Sequence, residues 1–188
     1  MRIIGGKLKN KKILFHINLK TRPLKDSVRE NIFNILNHSN KLNFKIKSAF
    51  VLDLYCGSGS FGIECISRGT AKVFFVENNE VAMNNLKSNI RILNITNKSS
   101  FHFNDVIDFL DKFNLENKID LVFLDPPYMD TNYIKVIKLI KQKDILKKEH
   151  LLVIHREKNT SKNLEKNLNI LENRIYGRSE IFFGKLFG

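Results

Sequence analysis

An α/β fold built on a mostly parallel sheet is predicted by three features of the chain. From residue 49 onward, short apolar runs alternate with stretches whose apolar residues recur at helical spacing. The runs are nearly uninterrupted, as strands covered on both faces require. Near the end, Ile175-Tyr176 and residues 180–187 flank Gly177-Arg178-Ser179, which predicts a tight turn and an antiparallel last strand.

Taken in order, residues 2–17 alternate apolar and basic positions around Gly5-Gly6, predicting one or two short strands in a basic hairpin. Thr21-Arg22-Pro23 breaks that pattern. From Asp26 the residues Val28, Ile32, Phe33, Ile35 and Leu36 recur at helical spacing, with Asp26 placed to cap the helix. A polar, basic stretch over 37–47 leads into the main unit. Strands are predicted at 50–54, 72–77, 99–103, 119–124 and 151–155, with helices beginning near Ser60, Asn79, Val106 and Thr131 after the first four.

The 188 residues suffice for one domain with a sizeable core, and 43% hydrophobic content with a mean hydropathy of -0.23 fits a soluble protein. No apolar run is long enough to span a bilayer, and no signal-peptide pattern opens the chain. Cys56 and Cys65 suggest neither a disulfide framework nor a zinc site, so a reducing cytoplasm is expected and no metal. The net charge of +13 has a plain source in a chain rich in Lys, Asn and Ile, as an AT-rich coding bias produces. Its distribution says more. Residues 1–50 hold 12 Lys or Arg against two acids, while the other 138 hold 20 against 17. A uniform bias does not load one quarter of a chain, so the basic N-terminal part reads as a footprint for phosphates.

Chemistry concentrates at the predicted strand ends. Asp53-Leu54-Tyr55-Cys56-Gly57-Ser58-Gly59-Ser60-Phe61-Gly62 sits where the first parallel strand passes into a helix, and Gly57, Gly59 and Gly62 satisfy GxGxxG. Such a loop lets a ligand approach the backbone. Asp53 would repel a pyrophosphate but suits a positively charged amino group. Glu77 closes the second strand, where an acid can take both hydroxyls of a ribose. Asn104-Asp105 follows the third, where an amide and a carboxylate can read an adenine edge, although Asp is also a common helix cap. Together these placements favour S-adenosylmethionine over NAD. Asp125-Pro126-Pro127-Tyr128 follows the fourth strand. Proline lacks a backbone donor, and the carbonyls here can accept from an amino group while the tyrosine ring stacks on a flat base. Amino-methyltransferases acting on adenine, cytosine or guanine carry this arrangement; the plain alternative is an ordinary strand-to-turn junction. Asp125, Pro126 and Tyr128 are the candidate catalytic residues. The five histidines share no spacing and are read as structural or solvated, His155 included.

With these residues assembled, the chain resembles the RsmD family, which methylates a guanine N2 in small-subunit (16S) ribosomal RNA. The resemblance runs through Arg2-Ile3-Ile4-Gly5-Gly6, Thr21-Arg22-Pro23, Val28-Arg29-Glu30, Asp53 to Gly62, Arg68-Gly69, Glu77, Asn104-Asp105 and Asp125 to Tyr128. It implies a Rossmann-like class I S-adenosylmethionine-dependent methyltransferase fold, with seven strands and a reversed last one. It also implies a basic N-terminal hairpin over 1–20, a helical segment over 21–47 that closes over the cofactor, and a methyltransferase domain over 48–188. In that reading Arg22, Pro23, Asp53, Gly57, Gly59, Glu77, Asn104 and Asp105 bind the cofactor. Ribosomal RNA within a small-subunit particle is the expected partner, with the chain acting as a monomer away from membranes. Leu24 stands where the family usually has Thr, Cys56 where Ala is common, and Met129 takes no assigned role. A DNA adenine-N6 methyltransferase and a non-catalytic RNA-binding assembly factor are the alternatives. A cytosine-C5 enzyme finds no cysteine after a proline near the base pocket. An NAD-dependent oxidoreductase leaves Asp53 and the Asp-Pro-Pro-Tyr tetrad unexplained.

Overall fold

The computed structural model describes residues 1–15, 24–114, 117–160 and 164–187. Seven strands make one sheet: β1 (Phe50–Leu54), β2 (Lys72–Glu77), β3 (Ser99–Phe103), β4 (Ile119–Leu124), β5 (Leu146–Glu157), β6 (Leu168–Tyr176) and β7 (Ser179–Leu186). Their spatial order is β3-β2-β1-β4-β5-β7-β6. β1 to β5 pair in parallel, and β7 lies antiparallel between β5 and β6. Five helices accompany the sheet among the described residues: α1 (Asp26–His38), α2 (Ser60–Ser67), α3 (Glu80–Ile92), α4 (Val106–Lys112) and α5 (Tyr133–Gln142).

The apolar strands divide their side chains between two cores. Val51, Val73, Phe75, Leu121, Phe123 and Val153 face α1, α2 and α3, while Leu52, Phe74, Val76, Val122, Leu124 and Ile154 face α4 and α5. Alternate residues of one strand point to opposite faces, so a strand buried on both sides must be apolar throughout. α2 is buried on every face because the sheet covers one side and α1 with the N-terminal segment cover the other.

The N-terminal segment folds back on itself as a minimal hairpin. Among residues 1–15 an antiparallel bridge, Arg2 with Lys12, spans a 3-10 turn at Gly6–Leu8, with Ile3 N–H donating to the Lys11 carbonyl at 2.9 Å and Ile13 N–H to the Met1 carbonyl at 3.1 Å. No longer strand forms there, and the reason lies in the remaining backbone donors. Glu64 of α2 accepts from the N–H groups of Ile4 at 2.8 Å and Gly5 at 2.7 Å, and Ser67 accepts from Leu8 at 2.9 Å. Those donors are therefore spent on α2 rather than on a partner strand. Gly6 has φ 74°, and a Cβ there would lie 2.0 Å from the Ser67 carbonyl oxygen, so only glycine permits this approach. Asp26 does not cap α1. It is the first helical residue, and its carboxylate instead meets the fully buried Arg29 at 3.0 Å. A buried guanidinium demands a partner more strongly than a helix end open to water does.

Candidate active site

Between β1 and β4 the order of strand connection reverses, and the carboxyl ends of both strands border a crevice there. A cavity of about 500 Å³ occupies it, within the range of small-molecule sites. Asp53, Gly57 and Glu77 contribute to one part of its wall, and Asp125, Pro126, Tyr128 and His155 to another.

Asp53 is 1% exposed. One carboxylate oxygen, Oδ2, accepts from the Gly62 N–H at 2.9 Å; the other, Oδ1, is buried without a partner among the described residues. Burial pushes this carboxyl well above the usual range, against the Gly62 bond, and the nearby Asp125 and Glu77 add to the rise. A buried oxygen with nothing to accept from suits a ligand that brings a cation or an N–H donor. Glu77 accepts from Gly57 N–H through Oε2 and from Asn79 N–H through Oε1, both at 2.8 Å. This clamps the glycine loop and fixes the plane of the carboxylate, while each oxygen keeps further acceptor capacity. A Cβ on Gly57 would meet nothing within 4 Å, so open space adjoins the loop at that point.

Not every candidate reaches the wall. Gly59 takes a left-handed conformation at the start of α2, where a Cβ would lie 2.3 Å from Leu86 Cδ1; it serves the turn and the α3 contact. The structure does not bring Asn104 or Asp105 to the cavity wall. Asp105 caps α4, its carboxylate accepting from Ile107 N–H at 2.8 Å. Arg22 and Pro23 lie outside the described residues. Leu24, next to them, is buried and contributes to the wall, as do Cys56 and the exposed Met129. Burial pushes the Cys56 thiol up, which makes it a poor nucleophile.

The Asp-Pro-Pro-Tyr loop is held by residues that carry no motif. Arg156, 2% exposed, donates to the carbonyls of Pro127 at 3.1 Å, Tyr128 at 2.8 Å and Asp130 at 3.1 Å, and its guanidinium lies 4.4 Å from the centre of the Tyr133 ring. Tyr55, with φ 60°, holds Asp130 from the glycine-loop side; burial first, then that carboxylate, push its phenol up. Among the described residues no hydrogen bond reaches the Pro126 carbonyl, which leaves it an available acceptor. Asp125 Oδ1 lies 2.7 Å from His155 Nδ1, and the His155 ring stands at 80° to Tyr128. Arg178, on the turn between β6 and β7, also reaches the wall and pairs with Glu157. His155 and Arg156 close β5 at the same sheet end as the other site residues. That position was their only signal in the sequence.

A family model described as conserved hypothetical protein 95 matches residues 1–185. Ribosomal RNA small subunit methyltransferase D of Buchnera aphidicola (subsp. Acyrthosiphon pisum) is 34% identical over 96% of the chain and 90% of its own length. An uncharacterized methylase of Rickettsia prowazekii, RP545, is 30% identical over 96% of the chain and 95% of its own length. The solved structure of yhhF from Escherichia coli, a methyltransferase candidate, superposes with a TM-score of 0.84 at 25% identity, covering 99% of the chain and 97% of that protein.

Proposed function

The chain belongs to the conserved hypothetical protein 95 family, which is the RsmD family, and from that premise we propose that it methylates the exocyclic N2 amine of a guanine in small-subunit ribosomal RNA. It is a methyltransferase with the Rossmann-like class I fold, and S-adenosylmethionine is its methyl donor. One observation supports the amine reading above others: Asp125, Pro126 and Tyr128 line a single cavity with Asp53, whose buried Oδ1 has no partner among the described residues.

That orphaned oxygen and Glu77 suit the donor's amino group and its ribose, with the open edge at Gly57 between them. When bound, S-adenosylmethionine supplies an electrophilic methyl group on a sulfonium. The protein's task is the nucleophile. A guanine amine is weak because its lone pair is delocalised into the ring. Asp125 and the Pro126 carbonyl accept its two hydrogens, which tips the nitrogen toward sp3 and aims the lone pair. Asp125 then takes the proton that the methylated nitrogen must shed. Holding reacting atoms in line contributes about 7 to 11 kcal/mol in the best cases. Tyr128 stacks on a base that has left its helix, contributing about 1 to 3 kcal/mol by the measure of single-strand binders. Ribosomal RNA is the substrate named for the Buchnera aphidicola relative, and exposed basic residues of the N-terminal segment, Arg2, Lys7, Lys9, Lys11 and Lys12, supply phosphate contacts for it.

The test is transfer of labelled methyl to isolated RNA and to small-subunit particles, followed by mapping of the modified base. Label in a guanine N2 is the expected result. Label in adenine, or only in DNA, overturns the reading.

A further inference from the structure

We infer that Phe15 is a binding residue for the methyl donor and that Asn89 is the positioning residue that holds it there. Both roles concern S-adenosylmethionine alone and stand whichever base accepts the methyl group.

Asn89 lies on α3 and is 2% exposed. Its Oδ1 accepts from the Leu14 N–H at 2.7 Å, and its Nδ2 donates to the Leu14 carbonyl at 2.9 Å. The carboxamide thus meets both backbone groups of one residue, as a neighbouring strand would. The same Nδ2 donates to the Ser58 carbonyl at 3.2 Å, and Ser58 stands between Gly57 and Gly59. One side chain therefore ties the N-terminal segment to the glycine loop. Burial does not do this for residue 14 itself, since Leu14 is 51% exposed.

Phe15 comes next in the chain. Its ring is half-buried, yet it belongs to neither core of the sheet. Phe15 and Ser58 both line the cavity, with Asp53, Gly57 and Glu77. An aromatic ring that stands in a cavity wall and is left uncovered by a core is covered by the molecule that fills the cavity. Because Leu14 is fastened to the glycine loop, the ring beside it belongs to the part of the wall that takes the donor. A freely hinged segment would have to order itself whenever the donor binds. The Asn89 bonds meet that entropy cost in advance.

The experiment titrates S-adenosylmethionine into the full chain without RNA and compares Phe15→Ala, Asn89→Ala and the double variant. Each single change should weaken binding about 5- to 20-fold, the size of a partly buried aromatic contact. The double variant should bind within about twofold of the weaker single one, because Asn89 acts through a ring that is already gone. In methyl transfer the same variants should raise the KM for the donor and keep kcat at saturating donor within about threefold, as loss of uniform binding does. Phe15→Ala binding within about twofold of wild type overturns the assignment by itself, so an Asn89→Ala protein that fails to fold does not shield it. Losses that multiply in the double variant overturn the positioning role and leave Asn89 to the glycine loop alone. Label mapped to adenine removes the guanine reading above and leaves these titrations untouched, so the two fail separately.

Discussion

A carboxylate buried with one unpartnered oxygen, as Asp53 is, keeps its proton longer than an exposed one. Its raised folded-state pKa sets the sign of a pH effect. Below the ordinary aspartate pKa both folded and unfolded states hold the proton and nothing is lost. As pH rises above that value, the unfolded chain releases its proton first and the fold loses stability until Asp53 ionises in place. Asp53→Asn keeps an acceptor for Gly62 and removes the titration. Thermal melts from acid to neutral pH should therefore show the variant gaining on wild type as pH rises, and a parallel pair of curves would contradict the account. In the same variant the donor should bind more weakly if Asp53 holds its amino group as proposed. At the other part of the wall, Asp125→Ala should lower kcat at least about 100-fold, as loss of a group engaged at the reacting atom does, while donor affinity by titration stays nearly unchanged. Tyr128→Ala should weaken RNA use by about 1 to 3 kcal/mol in kcat/KM with the donor unaffected. Asp53, Asp125 and Tyr128 were legible in the sequence because each stands at a predicted strand end beside a turn motif. His155 was not, since a lone histidine closing a strand has no spacing to mark it. Its meaning comes from a carboxylate 30 positions away.

Among the elements, β1, β2 and β4 were readable because burial on both faces leaves their middles almost entirely apolar, and the half-buried β3 because Phe101 and Phe103 alternate with polar residues; these four match their predicted bounds at 50–54, 72–77, 99–103 and 119–124. β5 begins five residues earlier than predicted, at Leu146, because Lys147, Lys148 and Glu149 lie where the strand is solvent-exposed and break the apolar run. The hairpin expected near the N-terminus pairs through only one bridge, Arg2 with Lys12, because an alternating pattern says which side faces in, not what accepts the backbone hydrogens. The loop after β4 gains its shape from another element altogether. Arg156 of β5 ties down three of its carbonyls, so Arg156→Met should leave them unmet and the loop loose. We expect hydrogen exchange to quicken across 127–130 and kcat to fall with donor affinity retained. If exchange there matches wild type, the loop stands without that anchor.

Across the whole molecule, Glu64 joins the N-terminal segment, α1 and α2. It is 0% exposed and accepts from Ile4, Gly5 and Arg68 Nε, with Arg29 Nε at 3.8 Å. Glu64→Leu should destabilise the fold by about 3 to 5 kcal/mol, because it removes the buried acceptor of the Ile4 and Gly5 N–H groups and leaves Asp26 alone to balance the buried Arg29 charge, and denaturant midpoints will measure it. Loss of less than about 1 kcal/mol would mean the segment is held by the apolar packing of Ile3 and Ile13 and its bonds to Ser67 and Asn89 rather than by Glu64. The placement of β7 has a consequence for assembly order. β6 precedes β7 in the chain yet touches the sheet only through it. Because their contact is local, the two are expected to zip together as a hairpin around Gly177 and add to the free edge of β5 as a unit. Arg178 rides on that hairpin's tip, so the candidate cavity gains that part of its wall when the sheet gains its last pair of strands. Pulsed hydrogen exchange during refolding should find 168–186 protected together and after β1 and β4. A chain caught before that step would expose β5 as an open edge, ready to recruit a strand from a neighbour.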